Sequence, residues 1–343
     1  MDWQRTVIWR GLSWGWVGLP ILAFVPGIPT RLAVQWISLA CSLVVLAVGL
    51  ALPRGHGHGQ VFGWALLGCL GVVPPHWRQM TPMFLWVCHA GLLLTAAGML
   101  THHAESRWLR QAVVWGAWGQ VVVLGLQVLH VPLPWPLLAN PQHPPGGTVG
   151  ALAPAAALVG LGSFWSSGWR AWALGVATCL TGSGTAIPLV VLRLLWPWRW
   201  LRWGMLLLLP IGLWWGWRDA FLERWAIWSG MPWMWWGRGF RAFPGGFQDD
   251  TLIGRAMQWR DTHNVYLDWV GRFGLPGIVV LGGVLWWCWK QSRTVEQRWL
   301  LAFSCWVACW QSLEQFPVLM IPVMVWWISV SQSAGGVHAV HPI

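Results

Sequence analysis

Apolar residues run along this chain in successive blocks of roughly 15–22 residues, separated by short polar or Pro/Gly-rich stretches. The blocks fall at roughly 7–26, 32–52, 60–74, 82–100, 110–130 and 149–165, then 170–196, then 203–217, 268–289, 298–313 and 316–332. A helix needs about 20 apolar residues to cross a bilayer core. The pattern therefore predicts an all-α, polytopic integral membrane protein, with residues 1–343 forming one membrane domain. The block at 170–196 differs from the rest, because Thr181-Gly182-Ser183-Gly184-Thr185 sits in its middle. Glycine and hydroxyl side chains interrupt a helix, and a broken helix at membrane depth is tolerated where protein surrounds it.

The placement of Arg tests this map, since cytoplasmic loops collect Lys and Arg. The N-terminus (Arg5, Arg10), the loops carrying Arg54 and Arg107, the segment with Arg193, Arg199 and Arg202, and the segment with Lys290, Arg293 and Arg298 should all face the cytoplasm. The parity works only if 170–196 is two half-helices hinged at Gly182–Gly184, with both ends cytoplasmic. The expected total is about twelve transmembrane segments, both termini inside, and external loops at 131–148 and about 218–267. The first of these loops is uncharged and rich in Pro and Gly.

Composition sharpens the class. Charged residues are 9 % of the chain, against about 25 % in an ordinary soluble domain. The net charge of +11 comes from Arg scattered between apolar blocks, which argues for topology signals and against a nucleic-acid partner. The 37 Trp suit the membrane interface, where an indole buries its ring and keeps its N–H wet. All seven Cys lie in apolar blocks and read as small hydrophobes, not as a disulfide framework. A short basic N-terminus precedes the first block without an evident cleavage signal, so that block reads as a retained span.

The candidate chemistry is concentrated in the loop at 218–267. Six of the ten acidic residues lie between positions 219 and 268. Arg218, Arg224, Arg238, Arg241, Arg255 and Arg260 lie there too, although an external loop should be poor in Arg. A planar guanidinium fork grips phosphate, so an external Arg cluster beside a bilayer fits a lipid phosphate or diphosphate. A solvated, salt-bridged lid is the competing account. Near the loop's end stands Asp261-Thr262-His263-Asn264-Val265-Tyr266-Leu267-Asp268, which holds the only Tyr of the chain. Surrounding Arg favour a neutral His263, the form a general base needs near neutral pH.

These residues resemble a known signature. His263-Asn264-x-Tyr266-Leu267-Asp268, followed by Gly274-Leu275-Pro276-Gly277, is similar to the HNxYLE…GLxG pattern of the O-antigen ligase and polymerase superfamily. Upstream, Arg224-x-x-x-Trp228, Pro232, Gly237-x-Gly239 and Phe243 resemble its R…W…P…GxGxxxF segment. Thr181-Gly182-Ser183-Gly184 stands where the family often carries TGSRG, and Gly147-Thr148-Val149-Gly150 resembles its GTxG element. The matches follow the family's order and cover about half the chain. Gly184 replaces the family's Arg, Arg272 stands where an acid is common, and Ala151 to Pro154 replace the Asn that usually follow GTxG.

The resemblance implies an inverting, metal-independent membrane glycosyltransferase that needs no cofactor. The donor would be a glycan on a polyprenyl diphosphate, at the external face of the inner membrane, with the loop in the periplasm. The acceptor would be a lipid A core sugar, a growing glycan or a protein hydroxyl, as in ligases, polymerases and protein O-oligosaccharyltransferases respectively. His263 would be the catalytic base, and Arg224, Arg238, Arg241, Arg255, Arg260, Asn264 and Tyr266 the substrate-binding set. Two other features suggest metal: His56 and His58 on a Gly-rich turn, and Asp249-Asp250. Without a third ligand the His pair reads as incidental and the acids as partners of loop Arg. The rivals are a small-anion transporter, which should carry ionisable residues inside its spans, a metal-dependent glycosyltransferase, and an inactive relative.

Overall fold

The computed structural model describes residues 2–22, 30–51, 92, 95–96, 99–100, 106–131, 152–198, 203–204, 211, 218, 221–222, 224–225, 227–229, 235–236, 247–249, 257–259 and 264–310. Eight helices are defined among them. They are α1 (Asp2–Leu22), α2 (Thr30–Ala51), α3 (Ser106–Val128), α4 (Leu152–Trp165), α5 (Gly168–Leu180), α6 (Ile187–Leu195), α7 (Val265–Gln291) and α8 (Val295–Cys309). Helix therefore dominates, as the apolar blocks predict. Two helices contain a segment long and apolar enough to cross a bilayer, Arg107–Val128 in α3 and Phe273–Gln291 in α7. Shorter apolar segments are Trp36–Gly49 in α2 and Ala155–Trp165 in α4. The blocks expected at 60–74 and 316–332 lie outside the described residues, as do most of 82–100 and 203–217.

One element has no counterpart in the expected all-α pattern. Strands β1 (Phe247–Asp249) and β2 (Met257–Trp259) pair antiparallel inside the large loop, with Gln248 opposite Gln258.

The bundle is organised around α4, which packs against α3, α5, α6 and α8. Its residues Ala155, Ala156, Ala157, Leu158, Val159 and Leu161 are all buried, so the helix is apolar and enclosed on every side, as expected of a central helix. Small residues allow the close approach. A Cβ on Gly160 would lie 2.9 Å from Val190 of α6, and one on Gly162 would run into Ala117 of α3. In a lipid solvent helices gain little from apolar burial against each other, and such small-residue contacts carry the association. Phe164 and Phe303 meet at 4.9 Å between ring centres, their planes tilted by 46°, where α4 meets α8. Between α1 and α2 the tie is polar, from Trp16 Nε1 to Ser42 Oγ at 2.9 Å.

The break expected within 170–196 is present. Helix α5 ends at Leu180 and α6 starts at Ile187, with Gly182 at φ 68° between them. Thr181 closes the first half, donating to the Thr178 carbonyl at 2.6 Å and accepting from Ser183 N at 3.2 Å. The two halves fold back on each other. A Cβ on Gly175 would meet Leu194 and Val190, and Trp172 packs against Trp198.

The bundle has two chemically different ends. At one, cationic residues gather from segments far apart in sequence. Arg110 Nη1 of α3 stands 4.0 Å from Glu296 Oε1 of α8, and Arg193 of α6 donates to the Phe164 carbonyl at 3.4 Å. Trp196 meets Trp299 edge-on at 5.0 Å. Here α8 opens on a capping box, in which Thr294 Oγ1 accepts from Gln297 N while Gln297 Oε1 accepts from Thr294 N. The opposite end joins the start of α7 to the last turns of α8.

Candidate functional site

Helix α7 begins on a side-chain cap. Asn264 is extended (φ −148°, ψ 111°), and its Oδ1 accepts from Tyr266 N at 3.0 Å and Leu267 N at 3.1 Å. An N-cap Asn satisfies backbone donors that the helix itself leaves unmade. Asp268, in the first turn, is fully buried, where the helix N-terminus favours negative charge. Tyr266 then reaches across to α8, its hydroxyl donating to the Cys305 carbonyl at 3.0 Å. Burial, followed by the nearby Cys305, pushes the Tyr266 phenol well above its ordinary range.

Two turns later α7 is kinked. Gly274 takes φ 60°, ψ −145° inside the helix, a conformation close to glycine-only territory. The kink releases the Leu275 N–H, which donates to the Trp235 carbonyl in the large loop at 2.8 Å. Trp269 Nε1 donates to the Gly277 carbonyl at 2.9 Å. A Cβ on Gly277 would come within 2.6 Å of the Phe273 Cβ and 3.2 Å of Trp269 Nε1. The Gly274-Leu275-Pro276-Gly277 sequence is thus a joint between the helix and the loop.

Arg224 arrives on a separate helical stretch. Residues 221–222, 224–225 and 227–229 are helical, so Arg224 and Trp228, four apart, share a face. Both meet Trp310 at the end of α8. The guanidinium carbon of Arg224 lies 5.6 Å from the Trp310 ring centre, and the Trp228 ring 6.2 Å from it. Phe221 packs on Trp225 and Trp228, each at 6.3 Å, and Trp306 stands 5.6 Å from Trp310. Arg224 and Tyr266 therefore rest on the same end of α8, on residues five positions apart, or about 7.5 Å of helix rise.

Of the eight residues singled out by sequence, three are described, and they converge at this end. Arg224 supplies charge. Asn264 and Tyr266 use the polar atoms described above to hold the start of α7, immediately after the position of His263. His263, Arg238, Arg241, Arg255 and Arg260 lie outside the described residues, as do His56, His58 and Asp250. Asp249 is the last residue of β1, paired with Met257. Among the described residues no three His, Cys, Asp or Glu side chains converge as metal ligands. Sequence reading missed Trp306 and Trp310. Their i, i+4 spacing near the end of an apolar block was a signal, hidden among many similar Trp.

No protein-family model, no curated protein and no solved structure matches the chain.

Proposed function

We propose that the chain is a membrane glycosyltransferase of the O-antigen ligase kind, moving a glycan from a polyprenyl diphosphate to an acceptor hydroxyl. One observation carries the proposal. The two stretches that resemble the family's signature, Arg224-x-x-x-Trp228 and Asn264-x-Tyr266, are about forty positions apart in sequence and meet on the last turns of α8. In this reading His263 takes the proton from the attacking hydroxyl. The diphosphate leaves with growing negative charge, which Arg224 offsets together with loop Arg such as Arg238, Arg241, Arg255 and Arg260. Asn264 and Tyr266 set the direction in which the chain enters α7. No metal or cofactor takes part.

The topology that accompanies this reading has about twelve transmembrane segments in the inner membrane, with the loop near 218–267 in the periplasm. Its support is the segregation of the two ends. Arg193 and Arg298, both expected in the cytoplasm, come from the end where α3, α4, α6 and α8 meet. Arg224 and Tyr266 occupy the other end.

The test is glycan transfer in nanodiscs with EDTA present, from a polyprenyl-diphosphate glycan to cell-envelope acceptors. Wild type should transfer, while His263→Ala and Arg224→Ala should not. Equal transfer by all three would remove these residues from the chemistry. Transport of a small anion by wild-type liposomes, without transfer, would replace the reading by a transporter.

A further inference from the structure

The end of the bundle away from Arg224 carries a built-in excess of positive charge. Helices α3 to α6 and α8 hold five Arg, at Arg107, Arg110, Arg170, Arg193 and Arg298, and a single acid, Glu296. Each of the six lies within the first or last five residues of its helix, at this one end. Three of the helices, α3, α5 and α8, begin here, so their free N–H groups add partial positive charge. Four of the five Arg therefore stand against the dipole of their own helix. Topology signalling explains exposed Arg. It does not explain Arg193, which is partly buried and turned inward, donating to the Phe164 carbonyl at 3.4 Å with its guanidinium carbon 5.6 Å from the Phe164 ring centre.

Arg110 and Arg193 share one carboxylate. Glu296 stands 4.0 Å from Arg110 and also acts electrostatically on Arg193. At 4.0 Å the Arg110 contact is too long for a hydrogen bond, and both of its side chains are about two-fifths exposed, at 41 % and 43 %, so the pair neutralises little. Under the Arg110 fork, with its ring centre 5.8 Å from the guanidinium carbon, lies Trp165. Its Nε1 is buried and makes no hydrogen bond, whereas roughly 90 % or more of buried polar groups in native proteins are paired. Two guanidinium forks on one carboxylate, beside an indole donor without an acceptor, suit a group with several oxygens and negative charge. The depth says where that group comes from. The bilayer-length segment of α3 starts at Arg107, which puts Arg110 in its first turn. Trp169 and Trp198, 69 % and 49 % exposed, flank the same end as interface residues do.

We infer that Arg110, Arg193 and the Trp165 indole bind the phosphate of an anionic phospholipid headgroup. The Arg110 side chain, being exposed, lifts to admit a phosphate oxygen to Trp165 Nε1. The lipid then ties α3 to the α5–α6 hairpin, a contact that Glu296 of α8 makes only loosely. A zwitterionic headgroup brings its own cation and is disfavoured among these Arg. The inference rests on the membrane reading and is independent of glycosyl transfer.

The experiment titrates the full chain, purified in a neutral maltoside detergent, with phosphatidylglycerol or phosphatidylcholine, reading retained lipid by native mass spectrometry and the melting temperature in parallel. Wild type should retain phosphatidylglycerol in preference to phosphatidylcholine and melt higher with it. Arg110→Gln and Arg193→Gln should each bind phosphatidylglycerol about tenfold more weakly, the effect of one hydrogen bond to a charged group, and Trp165→Phe should also weaken it. Arg298, whose Nε is engaged with the Ser292 carbonyl at 3.2 Å, is the control at the same end, and Arg298→Gln should bind like wild type. Should an Arg variant fail to fold, Glu296→Gln tests the site by gain. It removes the carboxylate that competes with phosphate, and binding should tighten several-fold. Equal weakening by Arg298→Gln would replace the site by diffuse charge and overturn the inference. So would equal retention of the two lipids by wild type, or unchanged affinity in Glu296→Gln and both Arg variants. Inorganic phosphate at millimolar concentration should not displace the lipid, and displacement would reassign the site to a soluble anion.

Discussion

The Tyr266 hydroxyl donates to the backbone carbonyl of Cys305 at 3.0 Å, fastening the first turn of α7 to α8. Asn264, two residues earlier, caps the same turn. The Asn264 side-chain cap and the Tyr266 strut together fix where the chain leaves the large loop, directly after position 263. Tyr266→Phe keeps the ring and removes the strut, at a cost of about 0.5–1.5 kcal/mol. A purified Phe variant should melt a few degrees lower than wild type, and its transfer rate should fall with little change in donor KM.

The strut also gives an alkaline signature. The folded Tyr266 phenol is raised above its ordinary pKa by burial first and by Cys305 second. Unfolded Tyr ionises near pH 10, so above that pH the unfolded state releases a proton that the folded state keeps. The Tyr266 contribution is then complete below about pH 10 and is lost as pH rises further. The melting-temperature gap between wild type and Tyr266→Phe should be constant from pH 7 to 9 and shrink by pH 11. A gap that widens at high pH would contradict this assignment.

Arg224 and Trp228 share a helical face and both touch Trp310. Lys at position 224 would keep the charge but lose the planar fork that can hold two phosphate oxygens. In the transfer assay Arg224→Lys should reduce kcat about tenfold and Arg224→Ala about 10²- to 10³-fold, the range seen on removing one transition-state donor. Parallel losses in kcat and kcat/KM would mark an interaction made in the transition state. A change in KM alone would assign Arg224 to ground-state binding.

The helices were legible because bilayer-length apolar blocks admit few alternatives, and Gly182 with its Thr and Ser neighbours marked the break between α5 and α6. Contacts between distant segments were not legible. Nothing in the pattern says that Arg224 lands on Trp310 or that Tyr266 reaches Cys305, since both depend on how α7 and α8 pack. Asn264 reads equally well as a substrate ligand and as a helix cap, and its Oδ1 is bonded to two backbone donors of α7. The β1–β2 pair has three residues per strand, too short for an alternating pattern to show. Trp306 and Trp310 were masked by abundance. With 37 Trp in the chain, interface anchoring explains most of them, and an unpaired N–H exists only in three dimensions.

Helix α8 should be sensitive to its capping box. Thr294 and Gln297 exchange hydrogen bonds at 3.1 Å each, and Gln297 also accepts from Arg293 N at 2.8 Å. Thr294→Ala should cost about 1 kcal/mol. Gln297 is buried and serves two donors, so Gln297→Leu should cost more than Thr294→Ala. Thermal unfolding of the two variants in the same detergent checks the order.

The kink in α7 offers the sharpest separation of stability from assembly of the site. At Gly274, φ 60° and ψ −145° would strain any L side chain by about 1–3 kcal/mol. Straightening the helix relieves the strain, returns the Leu275 N–H to an intrahelical acceptor and severs its bond to the Trp235 carbonyl. Gly274→Ala should therefore loosen the loop more than it unfolds the bundle. Proteolysis within the loop near 218–267 should accelerate several-fold while the main melting transition moves by only a few degrees. Gly277→Ala acts differently, because its Cβ would press within 2.6 Å of the Phe273 Cβ and 3.2 Å of Trp269 Nε1. That substitution forces the Trp269 side chain off the Gly277 carbonyl it now contacts. It should lower the melting temperature, whereas loop cleavage should rise less than in Gly274→Ala. Identical profiles for the two variants would mean that the kink and the Trp235 tie form one cooperative unit with the bundle.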